Sequence, residues 1–206
     1  MSCIFCRIVA GEIPAEVVAR EPEVVTFLDV QPLADGHVLV VPRAHAASVE
    51  DLKPAEADAL FRAVVRLAGP VRKALGAAGT TIGVNNGEAT GQTIPHVHVH
   101  IVPRWPGDGA GSVHTIFPRH VKRKLPEVGA AIRKALGAAG TTIGVNNGEA
   151  TGQTIPHVHV HIVPRWEGDG AGSVHTIFPR NAKRKLPEVG AAIRKALGQP
   201  PQPGRD

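Results

Sequence analysis

Three histidines alternate with apolar residues in the segment HVHVHIV, residues 96–102. Alternate side chains of a β-strand lie on one face, so His96, His98 and His100 would project together, about 6.6–7 Å apart. The intervening apolar side chains would face a core on the other side. Such a row of imidazoles can bind zinc. Alternatively, its middle ring can act as a nucleophile, because neutral imidazole is abundant near pH 7.

The loop before this strand favours the nucleophile. Its sequence, NNGEATGQ at residues 85–92, is polar and contains glycine, and a threonine follows. Asn85, Gln92 and Thr93 offer amides and a hydroxyl to phosphate oxygens. No acidic residue within the strand completes a metal site made from the motif alone. The pattern therefore predicts a histidine that attacks a phosphate-containing substrate.

The chain contains this segment twice. Residues 73–133 (copy one) and 134–194 (copy two) align at an offset of 61 and differ at three positions, Pro106/Glu167, His120/Asn181 and Val121/Ala182. His157, His159 and His161 are therefore duplicate-copy candidates for the same role. Copy two has no counterpart of the chain's first three predicted strands. Half a sheet cannot bury its own face, so copy two is not expected to form an independent domain.

Cys3 and Cys6 are the chain's two cysteines, in C-x2-C spacing. In a reduced compartment this spacing favours metal binding or redox use over a structural disulfide. The spacing alone does not decide between the two uses.

The predicted elements alternate strands and helices in a mixed order. β-Branched segments predict strands at residues 16–20, 24–29, 37–41, 80–84 and 96–102, the last ended by Pro103. A long helix is expected from Lys53-Pro54 to about Leu75, kinked or interrupted at Gly69-Pro70. An irregular stretch follows at Trp105–Arg119, and a short helix begins at Pro126.

The composition excludes two classes of partner. The net charge is +5, but copy two alone contributes +3, and the basic run Lys122–Lys124 has no aromatic side chains between its charges. We therefore expect no nucleic-acid binding. No apolar run is long enough for a signal peptide or a bilayer span, which predicts a cytoplasmic protein with no membrane partner.

Gly91–Arg104, GQTIPHVHVHIVPR, resembles the signature of the histidine triad (HIT) family of nucleotide hydrolases and transferases. Cys3–Ala15, Phe27–Val30 and Gly36–His45 are similar to its bacterial branch, related to purine-nucleoside phosphoramidases. The resemblance runs from Cys3 to about Leu136, and copy two matches the family's C-terminal half. It implies an α+β, HIT-like fold: a five-stranded antiparallel sheet with a long helix and a short C-terminal helix. Copy two adds a partial strand–strand–helix unit. We expect a complete domain at 1–137, a partial duplicate at 138–198 and a disordered Pro-rich tail at 199–206.

The resemblance also implies roles for individual residues. His98 would attack the α-phosphorus, giving a nucleotidyl-histidine that water hydrolyses. His96 and His100 would flank it, with the His96 carbonyl orienting the nucleophilic ring. Thr93, Asn85 and Gln92 would hold the phosphate. Asp29 would bind the ribose hydroxyls, and an apolar base slot would consist of Phe5, Phe27, Val30 and Leu39, although ordinary core packing explains those apolar residues equally well.

A structural zinc is the implied cofactor, with no organic cofactor beside it. Its implied ligands form a Cys2His2 set, Cys3, Cys6, His45 and His96, which suits a closed tetrahedral site. The resemblance implies no role for the histidines that lie outside both triads and the zinc set. They are expected at the surface or in polar contacts: His37, His114, His120 and His175.

The expected activity is cleavage of a P–N or P–O bond at the α-phosphate of a purine nucleotide, in a phosphoramidate or an aminoacyl adenylate. Dinucleoside polyphosphates are the enzymatic alternative, and a non-catalytic nucleotide-binding module is the alternative of another class. Relatives are usually two-fold dimers, so a homodimer is expected.

Copy one is the expected working site. Docking copy two instead would lengthen a loop by 61 residues, at a cost on the order of 1–2 kcal/mol, and would lose the helix continuity. Copy two is expected to be a redundant appendage. Exchange into the site and pairing with another chain's edge remain open for it.

Overall fold

The computed structural model describes residues 3–112, 140–153, 157–165, 167–173 and 183–201. Its helices are α1 (Ile4–Ala10), α2 (Pro54–Ala74) and α3 (Leu186–Ala196). Its strands are β1 (Val17–Arg20), β2 (Val24–Leu28), β3 (Val38–Pro42), β4 (Gly79–Asn86), β5 (Val99–Arg104), β6 (Gly140–Asn147) and β7 (His161–Arg165). The five strands predicted before copy two are confirmed, whereas α1 was not predicted.

All seven strands form one antiparallel sheet in the order β1-β2-β3-β5-β4-β6-β7. The α+β class and the five-stranded unit are therefore confirmed. The two described strands of copy two extend that sheet beyond β4.

The pairing of β4 with β6 relates the two copies by an approximate two-fold axis. Gly83 lies opposite Gly144, its own equivalent in copy two, and Ile82 and Val84 lie opposite Val145 and Ile143. Mirrored hydrogen bonds flank this centre at 3.2 Å: Asn86 donates to Thr141, and Asn147 donates to Thr80. The duplicated sequence thus pairs with itself inside one chain.

The main core lies between one face of the sheet and the helices α2 and α3. Helix α2 contributes Leu60, Val64, Leu67 and Val71, at helical spacing. The predicted interruption at Gly69-Pro70 is wrong, because α2 continues through Pro70 as one helix of 21 residues. Pro70 removes the one hydrogen bond that its N–H would have made to the carbonyl of residue 66, and the bonds on either side of it keep the helix continuous.

The start and end of β5 also differ from the prediction. The strand begins at Val99 and not at His96, so His96 and His98 precede it, and Pro103 lies within it opposite Thr80. The pairing of β5 with β3 stops at Ile101. Pro103 lies beyond that point, so its missing N–H costs no hydrogen bond to β3.

Helix α3, from copy two, completes the core of the N-terminal half (residues 3–72). Val189 and Ile193 are buried in that core. Arg194 donates to Glu16 at 2.7 Å, and both side chains are nearly buried. The described part of copy two is thus built into the sheet and the core, in contrast to the appendage that was expected. The domain boundaries themselves stay predictions.

Copy two nevertheless leaves one apolar strip exposed. Val158, Val160 and Ile162 are 72%, 57% and 66% exposed. Their equivalents in copy one, residues 97, 99 and 101, are at most 1% exposed, under α2 and beside β3. The difference arises because the chain has a single N-terminal half.

Several predictions fall outside the described residues. They are the short helix from Pro126, residues 202–206 of the predicted tail, and His114, His120 and His175. Within the described part of the chain, no helix combines the length and the apolar character needed to cross a membrane.

Candidate active site

His96, His98 and His100 are buried together beside β3 and α1, while Val97, Val99 and Ile101 enter the core as predicted. The ring centroids of His98 and His100 lie 4.9 Å apart. The ring centroids of Phe5 and His98 lie 5.1 Å apart, and the two rings are T-shaped to each other. The period-two pattern therefore holds through the extended segment that leads into β5.

The protonation of His98 follows from its partner. Its Nδ1 lies 2.7 Å from the backbone carbonyl oxygen of His96. A carbonyl oxygen only accepts hydrogen bonds, so Nδ1 of the neutral ring carries the proton. Nε2 then keeps its lone pair, which is the form a nucleophile requires.

His100 is oriented through His37, which is fully buried, so that of the two expected environments, the surface or a polar contact, His37 has the second. The Leu33 N–H donates to His37 Nδ1 at 3.3 Å, so His37 carries its proton on Nε2 and donates it to His100 Nδ1 at 2.9 Å. His100 accordingly carries its own proton on Nε2. The sequence contained a signal for this, because His37 shares a strand face with Leu39, a predicted base-slot residue.

Asp29 lies at the end of this chain of rings. Its Oδ2 is 3.5 Å from His37 Nδ1 and its Oδ1 accepts from the Gln31 N–H at 2.8 Å. The 2.9 Å between His37 and His100 is a hydrogen-bond distance, shorter than the roughly 3.3 Å expected between two nitrogens on one zinc. His37 and His100 are therefore joined by a hydrogen bond and not by a metal, and Asp29 lies beside His37, whose Nδ1 already accepts from Leu33.

A cavity of about 280 Å³ opens in front of the histidines. His98, His100, Thr93 and Asp29 line it, together with the predicted base-slot residues Phe5, Phe27, Val30 and Leu39. Phe5, Phe27 and Leu39 also form a second, smaller core cluster, whereas Val30 is exposed. The lining thus combines polar groups with an apolar slot, and this combination suits a nucleotide.

Two predicted phosphate ligands are not among the residues that line the cavity. Asn85 is buried in β4. Gln92 holds its own loop: its Oε1 accepts from the Gly87 N–H at 2.6 Å, and its Nε2 donates to the carbonyls of Ala47 and Ile94 at 2.8 and 3.0 Å. Gln92 therefore fixes the backbone next to Thr93, and its contact with phosphate stays a prediction.

The predicted zinc ligands converge on one point beside the triad. Cys3 Sγ and Cys6 Sγ lie 3.4 and 3.5 Å from His96 Nδ1, and His45 Nδ1 lies 3.4 Å from both Cys6 Sγ and His96 Nδ1. Tetrahedral ligands at zinc bond lengths of 2.0–2.3 Å are roughly 3.3–3.8 Å apart. The donor set therefore fits zinc in distance as well as in type.

The protonation states also suit a cation. His96 Nε2 is 3.0 Å from the Pro42 carbonyl, so it carries the ring proton and leaves Nδ1 free to coordinate. Burial lowers the pKa of His96, as do His45 and His98, against the opposing effect of the Pro42 hydrogen bond. Burial and then Cys3 raise the pKa of the Cys6 thiol, an effect that a bound cation would reverse.

Copy two repeats the local geometry without these surroundings. His159 Nδ1 lies 2.9 Å from the His157 carbonyl, and the rings of His159 and His161 are 4.9 Å apart, as in copy one. His157, however, is exposed, whereas its equivalent His96 is fully buried. Copy two has no residues equivalent to Cys3–Arg72, so it lacks its own base slot, ribose carboxylate and cysteines.

Comparisons with known proteins identify the family. A family model described as HIT domain matches residues 10–107 and 117–168. Protein hit of Bacillus subtilis is 36% identical over 140 residues, covering 67% of this chain and 97% of the relative. Adenosine 5'-monophosphoramidase hnt1 of Schizosaccharomyces pombe is 34% identical over 143 residues, covering 65% and 100%.

Solved structures agree as well. A member of the HIT family from Bacillus subtilis aligns with a TM-score of 0.59 at 35% identity, covering 67% of this chain and 99% of that one. A zinc-bound histidine triad family protein from Mycobacterium smegmatis aligns with a TM-score of 0.54 at 24% identity, covering 96% and 94%, and shares the fold. The chain belongs to the HIT domain family, and the class of protein this defines is a nucleotide hydrolase or nucleotide-binding protein.

Proposed function

We propose that the chain hydrolyses purine nucleotides at the α-phosphate, through a nucleotidyl-histidine on His98. The observation that carries the proposal is the fixed protonation of this ring. The His96 carbonyl holds the ring proton on Nδ1 of His98, so the lone pair is on Nε2. The ring of His98 lines the cavity. The same kind of hydrogen bond also suits a metal ligand such as His96, but His98 differs because its ring lines a cavity that also contains an apolar slot and the Asp29 carboxylate.

In the proposed reaction, Nε2 of His98 forms a bond to the α-phosphorus while the bond from phosphorus to the leaving group breaks. His100 carries its proton on Nε2 through the series from Leu33 and His37, and can donate it to the leaving nitrogen or oxygen. Water then cleaves the phosphorus–histidine bond and releases the nucleoside monophosphate. Thr93 and the backbone of its loop would hold the phosphate oxygens.

The preferred substrates are a nucleoside 5′-phosphoramidate or an aminoacyl adenylate. Two relatives support an adenylate at the reacting phosphorus: the fission-yeast relative named above, and an adenylylsulfatase, HINT3, of Arabidopsis thaliana that is 36% identical over 102 residues and covers 52% of that protein. Asp29 would accept hydrogen bonds from the ribose, and Phe5 and Phe27 would enclose the base.

A structural zinc is part of the proposal, held by Cys3, Cys6, His45 and His96. It would join α1 to the segment before β5 and to the residues after β3, and so fix the backbone that carries the His96 carbonyl. The site is closed by four protein ligands, so the zinc would stabilise the fold and would not take part in the reaction.

The test compares His98→Ala with His159→Ala, using a fluorogenic adenosine phosphoramidate. We expect His98→Ala to abolish turnover and His159→Ala to retain most of it. In His159→Ala, where the peptides of the two copies differ in mass, a sample quenched in alkali should contain a nucleotidyl group on the peptide with His98. Nucleotide binding with no covalent adduct would favour the non-catalytic module, and the reverse ranking of the two variants would assign the chemistry to copy two.

The predicted homodimer stays a prediction. The outer edge of β4 is already paired with β6 of the same chain, so a dimer of this protein has to use another surface. Sedimentation velocity of the full chain measures this directly.

A further inference from the structure

We propose that Ser173, from copy two, positions the phosphate loop (residues 87–93) of the copy-one site. This inference rests on the proposed function, because it assigns copy two a task in nucleotide binding. Copy two would then complete the working site from across the approximate two-fold axis, without using its own histidines.

The side chain of Ser173 packs against the backbone of Gly91, in the space that a side chain at residue 91 would need. Gly91 has a positive φ of 79°, and the nearest atoms to the place where its Cβ would stand all belong to Ser173. Cβ of Ser173 would be 2.8 Å from it, closer than side chains tolerate. Glycine is therefore needed at residue 91 twice, for its backbone angle and for the approach of Ser173.

Gly91 connects directly to the substrate cavity. It ends the short 3-10 turn Glu88–Thr90 and is followed by Gln92, whose side chain is bonded at both ends, and then by Thr93 in the cavity wall. Because the Gln92 side chain is bonded at both ends, the short backbone between Gly91 and Thr93 can absorb little of a displacement of Gly91. The displacement would therefore move Thr93.

The position of Ser173 is fixed from within copy two. Arg165, which is fully buried, forms an ion pair with Asp169 at 2.7 Å. The same guanidinium donates to the carbonyls of Ala171 and Gly172 at 2.8 and 3.0 Å. This network shapes the segment directly before Ser173, and the pairing of β6 with β4 brings that segment to Gly91.

The duplication supplies a matched control. Ser112 of copy one makes the mirrored contact with Gly152 of copy two, at 2.9 Å from the place where a Cβ would stand. The two serines thus have the same kind of contact, but only Ser173 faces the loop that leads to the substrate cavity. Substitutions at either serine should perturb the fold similarly, and differ in their effect on the nucleotide.

The experiment substitutes each serine by leucine in the full chain and follows three quantities: kcat/KM for an adenosine phosphoramidate, the thermal midpoint, and the amide NMR signals of Thr93 and Gln153. We expect Ser173→Leu to lower kcat/KM roughly 10- to 100-fold, since misplacement by about 1 Å costs up to 100-fold. Ser112→Leu should change it less than about twofold. The midpoints should match, with Thr93 shifted by the first variant and Gln153 by the second.

A rescue arm separates positioning from a general loss of structure. Gly91→Ala should lower turnover, and adding Ser173→Gly should recover about threefold or more, because the side chain in the way is gone while the cost of the positive φ remains. Ser173→Ala keeps the contacting Cβ and should remain near wild type.

Equal losses from the two leucine variants, or an unmoved Thr93 signal in Ser173→Leu, would overturn the inference while wild-type turnover upholds the proposed function. A wild type that neither turns over the phosphoramidate nor binds AMP would overturn the proposed function, and with it the assigned task. In that case a Thr93 signal shifted by Ser173→Leu alone would show that the contact exists for another purpose.

Discussion

Ile101→Ala and Ile162→Ala place the same substitution at equivalent positions of the two copies. Both isoleucines lie in the sequence HVHIVPR, so local propensity and neighbours are the same. Ile101 is fully buried beneath α2, whereas Ile162 is 66% exposed on β7. The pair therefore isolates the effect of tertiary burial on the free energy of unfolding.

The expected magnitudes follow from the carbons removed. Truncation of isoleucine to alanine removes three carbons, and each is worth about 0.8 kcal/mol when buried, so Ile101→Ala loses about 2.4 kcal/mol before any cavity is counted. With the cavity left in the core, the loss should be about 3–4 kcal/mol. Ile162 buries about a third of its surface, so its loss should stay below about 1 kcal/mol. The lower strand propensity of alanine affects both variants alike.

The assay is urea unfolding followed by circular dichroism, with the slope m compared before the midpoints. With m of about 2–3 kcal/mol per molar urea, Ile101→Ala should lower the midpoint by about 1–2 M, and Ile162→Ala by less than about 0.5 M. Equal losses above about 2 kcal/mol would refute the reasoning, because the two copies would then be buried alike or would exchange. A larger loss for Ile162→Ala would mean that copy two is the docked one.

Three further outcomes are expected. Cys6→Ser should reduce bound zinc from about one per chain to almost none by metal analysis and lower the thermal midpoint; full zinc content in this variant would contradict the assigned ligands. His37→Phe should lower turnover roughly 10-fold or more at a temperature where the variant is still fully folded, because His100 loses the partner that fixes its proton; unchanged turnover would remove that series from the mechanism. Arg194→Met should cost about 3 kcal/mol in urea unfolding, since it leaves the Glu16 carboxylate nearly buried without its cation; a loss under about 1 kcal/mol would show that α3 is not held there.

Much of the fold and the site could be predicted from the sequence because the patterns concerned are short in range. The β-branched segments VVTFLD and HVLVV predicted β2 and β3 to within a residue at each end. Alternation in HVHVHIV predicted that Val97, Val99 and Ile101 enter the core. Helix α1 was missed because its sequence, IFCRIVA, is too short for helical spacing to stand out from a strand pattern.

Burial of single polar residues was harder to predict. His37 was expected at the surface or in a polar contact, but its partners were not predicted, because Asp29 and His100 come from separate strands or their ends. The phosphate contact of Gln92 stays a prediction, but the sequence did not show that its amide binds the carbonyl of Ala47, 45 residues away. In both cases the partner is distant in the sequence, and no spacing rule relates the two.

The duplication separates local from tertiary determination within one molecule. The sequence by itself determined the triad, because a ring nitrogen of His98 or His159 reaches the carbonyl two residues before it whatever surrounds the strand. Only the tertiary structure decided that β6 pairs with β4, that α3 completes the core, and that one triad lies beside cysteines, a carboxylate and an apolar slot. The physical reason is that local hydrogen bonds form in every copy of a sequence, whereas burial needs a complementary surface, and one N-terminal half can cover one copy.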